Sequence, residues 1–237
     1  MQPQLDCNWV AAMENSVDPV HNEILHQDAM RGYKRKPAST TRGFIDDVAY
    51  YDFYTTSYGI MKQRAFKEGL VEEHPIIFPN ILRINTGTMI RVPIDDTHTT
   101  IFTAGFRRLK EGESMEEDET SIPVHYNKPF KDPPDALHPF TRFDLTSPES
   151  GGQHQDHMAW ETQGLIADRT VEHTSYSDRG VVMYREMLLE NIERVQQGLD
   201  PMCVIRDPDH PIIDTGMEAS RKQRALRDAQ PIGRLVT

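Results

Sequence analysis

The chain has 237 residues, 27% of them charged, and a net charge of -11. This acidic balance excludes the basic surface that duplex nucleic acid requires, and no stretch approaches the roughly 18 consecutive apolar residues of a membrane-spanning helix. Two cysteines, Cys7 and Cys203, are too few for a disulfide framework, a four-cysteine zinc site or a cysteine-ligated iron–sulfur cluster. Without a secretory signal at the N-terminus, the sequence predicts a cytoplasmic protein.

The first predicted element is a broken helix. Apolar residues recur at helical spacing between Asn8 and His26, and Pro19 lies inside this stretch. Because proline cannot donate the backbone hydrogen bond of an interior helical position, we expect a helix, a break, and a second helix that starts near Asp18 or Pro19. A basic, polar loop is predicted to follow at about 31–43.

A group of strands is predicted next. From Val48 to about Leu109, short β-branched and aromatic runs are separated by Asp, Gly, Pro and Asn, a pattern typical of antiparallel strands. We expect about five strands here. An acidic stretch at about 111–120 with almost no apolar residues predicts a solvated loop, and the proline-rich stretch from Pro123 to Gly152 predicts irregular covering structure.

The last predicted elements are helical. A short helix is expected around Gln155 to Thr162. The strongest helical pattern runs from Ser177 to Gln197, with apolar residues at helical spacing and Gly198 as the terminator. An extended tail is predicted for about 200–237. Together the elements predict a single α+β domain over residues 1–237.

The densest group of chemically active residues lies in the broken helical stretch. His21 and His26 are five residues apart, and Asp18 precedes the first by three. Imidazole is a good ligand for iron, zinc, copper and nickel. On a regular helix two residues five apart point about 140° away from each other, so both rings reach one ion only if the helix is distorted or unwound between them. Two buried, hydrogen-bonded histidines without a metal remain the alternative.

A carboxylate far along the chain completes a possible ligand set. Asp156 lies in the sequence Gln155-Asp156-His157, and two histidines with one carboxylate form the facial triad of non-haem iron(II) oxygenases. Alternatively, Asp156 only complements the dipole at a helix start. His154 and His157 also compete as ligands.

Several motifs, in order along nearly the whole chain from Asn8, resemble one family. The sequence is similar to the catalytic, mononuclear-iron domain of Rieske-type aromatic ring-hydroxylating oxygenase α subunits, in the branch that contains phthalate 4,5-dioxygenase. The motifs are Asn8-Trp9, Glu14-Asn15-x2-Asp18-x2-His21-x4-His26, Phe78-Pro79-Asn80, Arg91-Val92-Pro93-Ile94-Asp95-Asp96-Thr97-His98, Gln155-Asp156 with Glu161, Gln163-Gly164, Asp168-Arg169-Thr170 and Ser177-Asp178-Arg179-Gly180.

The resemblance implies both a fold and a set of site residues. The fold would be a helix-grip domain, in which a curved antiparallel sheet wraps the long C-terminal helix. His21, His26 and Asp156 would bind mononuclear Fe(II). Asp18 would be the aspartate that links the iron to a neighbouring subunit's Rieske centre, and Asn15 would lie close to the metal.

The resemblance also implies a function. The chain would be a terminal oxygenase component that activates dioxygen to hydroxylate an aromatic substrate, by dioxygenation or O-demethylation, with an aromatic carboxylate such as phthalate as the expected substrate. Electrons would come from NAD(P)H through a reductase that carries flavin and an iron–sulfur cluster. The expected assembly is a homotrimer.

One departure from the family pattern affects this expectation. Family α subunits begin with a Rieske domain that contains Cys-x-His and Cys-x-x-His, and this sequence has no such pair. We therefore expect the C-terminal part of an α subunit, whose full-length parent would carry the Rieske 2Fe–2S cluster. The chain alone would hold iron without an electron supply. A metal-free helix-grip module that binds an apolar ligand is the rival hypothesis, and a metal-dependent hydrolase is a third.

Overall fold

A computed structural model describes residues 4–26, 48–67, 69–84, 87–105, 109, 111–114, 153–209 and 212–215. The predicted basic loop at 31–43, the proline-rich stretch, most of the acidic loop and the basic end of the tail lie outside these ranges. Among the described helices, none is long and apolar enough to cross a membrane.

A single antiparallel sheet organises the described part of the chain. Its seven strands lie in the order β1-β7-β6-β5-β4-β3-β2. They are β1 (Gln4–Leu5), β2 (Val48–Thr56), β3 (Gly59–Phe66), β4 (Val71–Ile77), β5 (Ile81–Ile84), β6 (Gly87–Pro93) and β7 (Thr99–Gly105). Strands β2 to β7 form a meander, and β1 extends the sheet beside β7.

The described residues between Val48 and Leu109 form six strands, where about five were expected, and β1 was not predicted. Strand β5 has only four residues and follows β4 across the turn Phe78-Pro79-Asn80. Strand β1 has two residues, and only its pairing with β7 defines it.

The helices agree with the sequence predictions. Helix α1 (Trp9–Val17) and helix α2 (Val20–Ile24) are separated at Asp18 and Pro19. Helix α3 spans Gln153–Thr162 and helix α4 spans Arg179–Gln196. Gly198, with a φ of +76°, follows the end of α4. Two short 3₁₀ helices, Arg169–Val171 and Tyr176–Asp178, lie between α3 and α4.

The main core lies where α1 and α4 meet the sheet. Its buried residues are Met13 and Val17 from α1, Phe53, Ile60, Ile76, Phe78 and Leu82 from the sheet region, and Val181, Tyr184 and Met187 from α4. At Gly180 a Cβ atom would lie 2.4 Å from a Phe53 ring carbon and 2.9 Å from the Val17 carbonyl oxygen. The missing side chain therefore allows α4 to approach α1 closely. This arrangement, a sheet packed around a long helix, confirms the predicted α+β helix-grip fold.

A second core places helix α3. It consists of the buried residues Leu5, Cys7, Ala12, Ile101 and Trp160. Trp160 belongs to α3, whereas Ala12 belongs to α1, so this cluster packs the two helices together at the β1–β7 end of the sheet. The contacts of α1 with both cores put its C-terminal end between the sheet, α3 and α4.

Two glycines in neighbouring hairpins allow a test of close backbone packing. Gly59 has a φ of +144°, and a Cβ there would lie 2.2 Å from the Ile76 carbonyl oxygen, whereas Gly69 has a φ of +90° and no atom within 4 Å of that position. We expect Gly69→Ala to lower the free energy of unfolding by about 1–2 kcal/mol, the cost of a left-handed residue. Gly59→Ala should cost about 4 kcal/mol or more, because the strand must also move. Equal losses in chemical denaturation would contradict the steric argument.

Candidate metal centre

The two histidine rings lie close together at the end of α2. His21 lies in the first turn of α2, and the helix ends at Ile24 with Leu25 as its C-cap. His26 is the residue after this cap. The two ring centroids are 5.3 Å apart, with an angle of 81° between the ring planes. The distortion expected between the histidines is not seen at Leu25, which keeps helical backbone angles (φ −66°, ψ −41°) and donates to the His21 carbonyl oxygen at 2.7 Å.

Helix α3 brings Asp156 to the same place. His26 Nε2 lies 3.1 Å from Asp156 Oδ1, and His21 Nε2 lies 3.7 Å from the same oxygen. One ligand atom from each of the three residues lies within 4.8 Å of the other two. Ligand atoms at about 2.1 Å from a shared first-row metal ion are about 3–4 Å apart, so the donor set and its spacing fit one such ion.

The far nitrogens of the two imidazoles face other side chains. His26 Nδ1 lies 2.8 Å from the amide oxygen of Gln155, and His21 Nδ1 lies 3.4 Å from Asp18 Oδ2. An amide oxygen can only accept, so the proton of a neutral His26 is held on Nδ1 and the lone pair on Nε2 is free for a metal. A role for Gln155 was not predicted from the sequence, although its place beside Asp156 was noted.

The charges of the cluster favour a bound cation. Burial by itself would raise the pKa of Asp156, but the hydrogen bond with His26 and the charges of both histidines outweigh it and lower that pKa. Burial would likewise lower the pKa of His26, but its hydrogen bond with Asp156 and the charge of that carboxylate raise the pKa. Asn15 Nδ2 also donates to Asp156 Oδ1, at 3.1 Å. A buried, ionised carboxylate beside two imidazoles is a typical cation site.

Asp18 contacts both the backbone and the cluster. Its carboxylate accepts hydrogen bonds from the amides of Val20, at 2.8 Å, and His21, at 3.3 Å. Burial would raise its pKa, but the His21 ring, the Val20 amide and the charge of Lys62 lower it. The Asp18 side chain is 26% exposed. The same carboxylate therefore caps the start of α2 and faces the ring of His21.

A cavity of about 310 Å³ reaches the cluster from the Asp18 side. Asn15, Asp18 and His21 line it at the cluster. Its rim carries linked ion pairs, which join Glu14 to Arg169 at 2.8 Å and to Arg185 at 2.7 Å. Arg185 also contacts Glu172 at 2.7 Å. These pairs tie α1 to α4 and to the first 3₁₀ helix, and the sequence did not predict them.

Of the competing histidines, His157 lies outside the cluster. It is buried on α3, with its ring 5.4 Å from that of Trp160. Among the described residues, the group that could hold a metal contains His21, His26 and Asp156 and does not include His157. The side chain of His154 lies outside the described part of the chain.

A buried lysine holds the junction of the two first helices. Lys62 on β3 is 3% exposed. Its Nζ donates to the Ser16 carbonyl oxygen at 2.8 Å and lies 3.5 Å from the Asp18 carbonyl oxygen. The last carbonyls of a helix lack partners within the helix, and the ammonium group supplies one. Burial, with a smaller contribution from the charge of Arg64, lowers the pKa of Lys62 to about 8, although the charges of Asp18 and Glu23 act in the opposite direction.

Comparisons with known proteins identify two relatives. The chain is 32% identical over 214 residues to the oxygenase subunit of 5,5'-dehydrodivanillate O-demethylase from a Sphingobium species, a match that covers 86% of this chain and 46% of the relative. It is 26% identical over 224 residues to the oxygenase subunit of phthalate 4,5-dioxygenase from Pseudomonas putida, covering 82% of this chain and 50% of the relative. The chain thus spans about half the length of these curated relatives. No family profile matches it.

The buried lysine predicts a specific pH dependence of stability. The pKa of Lys62 is about 8 in the folded chain, against an ordinary value of 10.5. Between these values the unfolded chain binds a proton that the folded chain does not, so this group's contribution to stability rises with pH. That contribution is complete above pH 10.5 and is lost as pH falls through 8.

We expect the free energy of unfolding of the wild type to rise relative to that of Lys62→Met as pH is raised from 7.5 to 9.5. Denaturant titrations of both proteins at each pH measure it, and tyrosine titration cancels in the comparison. A difference that does not vary with pH would contradict the assigned ionisation.

Proposed function

We propose that this chain is the oxygen-activating, catalytic domain of a Rieske-type aromatic oxygenase, with ferrous iron bound by His21, His26 and Asp156. Its similarity to two oxygenase subunits supports the proposal. The observation that carries the proposal is the convergence of these three side chains, with both Nε2 atoms within 3.7 Å of one carboxylate oxygen. Two imidazoles and one carboxylate leave coordination positions open, as a reaction with dioxygen requires.

The surrounding residues set the state of the ligands. Iron at this position would supply the reductive activation of dioxygen, and the chain supplies orientation and charge. Gln155 accepts the Nδ1 proton of His26, which keeps the Nε2 lone pair available. Asn15 donates to Asp156 Oδ1 and so fixes the carboxylate, because an ionised oxygen that accepts a hydrogen bond has less freedom to rotate.

Asp18 is proposed as the link to the electron donor. A carboxylate beside the far nitrogen of His21 can accept a hydrogen bond from the N–H group of that ring and another from a second imidazole across an interface. Two observations support this role: Asp18 is 26% exposed, and it lines the cavity whose rim carries the Glu14–Arg185 pair. In this proposal a neighbouring subunit of a homotrimer presents its Rieske 2Fe–2S centre at this cavity. The electrons come from NAD(P)H through a reductase with flavin and iron–sulfur groups.

The substrate class is proposed from the names of the relatives. Dehydrodivanillate and phthalate are both aromatic carboxylates, and the named reactions are an O-demethylation and a dioxygenation. We infer an aromatic carboxylate substrate for this chain, with either reaction as the outcome of the same oxygen chemistry. A cytoplasmic location is proposed with it, consistent with the two free cysteines Cys7 and Cys203.

The iron assignment can be tested on the chain itself. Chain purified without oxygen and loaded with Fe(II) should retain about one iron per chain. His21→Ala, His26→Ala and Asp156→Ala should each lose most of it, because two remaining ligands hold a divalent ion weakly. Elemental analysis after gel filtration measures the content, and His157→Ala is the matched control that should keep its iron.

Two results would contradict the iron proposal. Iron retained by all three alanine variants, with loss in His157→Ala, would move the site along α3. A wild-type chain that binds no iron but holds an apolar ligand would favour the metal-free binding module instead.

The role of Asp18 needs an electron supply to be tested. Asp18→Asn keeps a side-chain cap of comparable strength, so iron content and melting temperature should stay near wild type. NADH-driven turnover, in an assembly that provides the reductase and a Rieske centre, should fall by about tenfold or more, because the charge beside His21 is lost.

A matched cap variant provides the control for Asp18. Asp168 caps the first 3₁₀ helix by accepting from the Thr170 amide and is not among the cavity-lining residues. Asp168→Asn should leave turnover unchanged. Wild-type turnover in Asp18→Asn would reduce Asp18 to a helix cap.

A further inference from the structure

Helix α2 is attached to the sheet by a charged residue. Among its five residues, Glu23 is the buried one, with 0% exposure, whereas the adjacent Ile24 is 62% exposed. Its N-cap residue, Pro19, makes no side-chain capping hydrogen bond. A helix this short is not stable by its own hydrogen bonds, so its position depends on Asp18 at its start and on Glu23 within it.

Both oxygens of the Glu23 carboxylate are used. Arg64 on β3 donates from Nη1 to Glu23 Oε1 at 2.6 Å, and the Tyr51 hydroxyl on β2 donates to Oε2 at 3.0 Å. Arg64 also donates from Nη2 to Glu72 on β4, at 2.6 Å. Glu23 is therefore joined to β3 and, through the same guanidinium group, to β4, and the Tyr51 hydroxyl joins it to β2.

A buried ion pair at this place is not explained by stability alone. An apolar side chain of similar volume often serves a core equally well, because two charges lose their hydration on burial. A charged pair with two hydrogen-bond directions does, however, define a position and an orientation more narrowly than an apolar contact does. Glu23 lies two residues after His21 and three before His26, so this contact fixes the segment that carries both imidazoles.

We propose that Glu23 is a positioning residue that sets the separation and angle of His21 and His26 by binding α2 to Arg64 and Tyr51 of the sheet. The inference rests on the proposed metal centre and adds a residue that touches neither the metal nor the ligands. It assigns metal affinity in part to the contact of α2 with Arg64 and Tyr51 of the sheet.

The chain offers a matched pair of variants. Glu23→Gln and Glu72→Gln each remove one carboxylate from the same Arg64, but Glu23 lies on α2 whereas Glu72 lies on β4. Dissociation constants for Fe(II) and Co(II), the visible absorption of bound Co(II), and the melting temperature of each metal-free protein are the measurements. Tyr51→Phe is a third variant, which removes one hydrogen bond and leaves the ion pair intact.

We expect Glu23→Gln to bind both metals at least about tenfold more weakly and to shift the Co(II) absorption. Tenfold is the lower end of the loss in metal affinity that follows when a residue supporting the ligands is replaced. Glu72→Gln should bind within about twofold of wild type and keep the wild-type spectrum, whatever its melting temperature. Tyr51→Phe should show a smaller loss in the direction of Glu23→Gln, and it decides the question if Glu23→Gln does not fold.

Three results would overturn the inference. If Glu23→Gln and Glu72→Gln weaken metal binding equally and leave the Co(II) spectrum unchanged, the contact of Glu23 with Arg64 is a general stabilising contact. If Glu23→Gln does not fold, wild-type affinity and spectrum in Tyr51→Phe would do the same. A wild-type chain that binds neither metal would overturn the proposed function and, with it, this inference. If the wild-type chain binds metal tightly, either of the first two results overturns the inference and leaves the proposed function in place.

Discussion

Buried charge is the constraint on which this site depends. Glu23, Lys62 and Asp156 all lie largely away from water near the first two helices, and an ionised group there is costly unless other groups compensate it. The sheet supplies Arg64 for Glu23. The free carbonyls at the end of α1 receive Lys62, and two imidazoles and Asn15 surround Asp156. Each of these contacts fixes the position of a backbone segment. The contacts that stabilise the buried charges therefore also determine the geometry of the site.

The three proposed metal ligands are held by different forces. Asp156 is carried by α3, whose place depends on the apolar cluster of Trp160 with Leu5, Ala12 and Ile101 and on the Asp6 amide bonded to Glu161 at 3.2 Å. His21 and His26 belong to a segment with little apolar burial, held by capping and by ion pairs. Rigid packing thus places one side of the site, and directional polar contacts place the other. Helix α1 packs in both cores, so the positions of all three residues are fixed relative to it.

The Asp18 side chain has a structural contact and also a contact with a candidate metal ligand. The same carboxylate that caps α2 faces the ring of His21, so a structural reason for an acid at this position does not argue against a functional one. Lys62 on β3 lies 3.5 Å from the backbone carbonyl oxygen of Asp18, so the backbone and the side chain of Asp18 both have partners.

The sequence by itself determined the local features of this protein. The position of Pro19 and the helical periodicity before Gly198 act over one or two turns, so they predicted the break between the first two helices and the long helix. Tertiary structure alone brought Asp156 to the two histidines, gave Gln155 a ring nitrogen to face, and paired Glu23 with Arg64 across 41 positions. Periodicity reports which face of an element is buried, but it does not report which distant residue will meet that face. That choice follows from the packing of α1, α3 and α4 on the sheet, where contacts between distant parts of the chain decide which buried charges find partners.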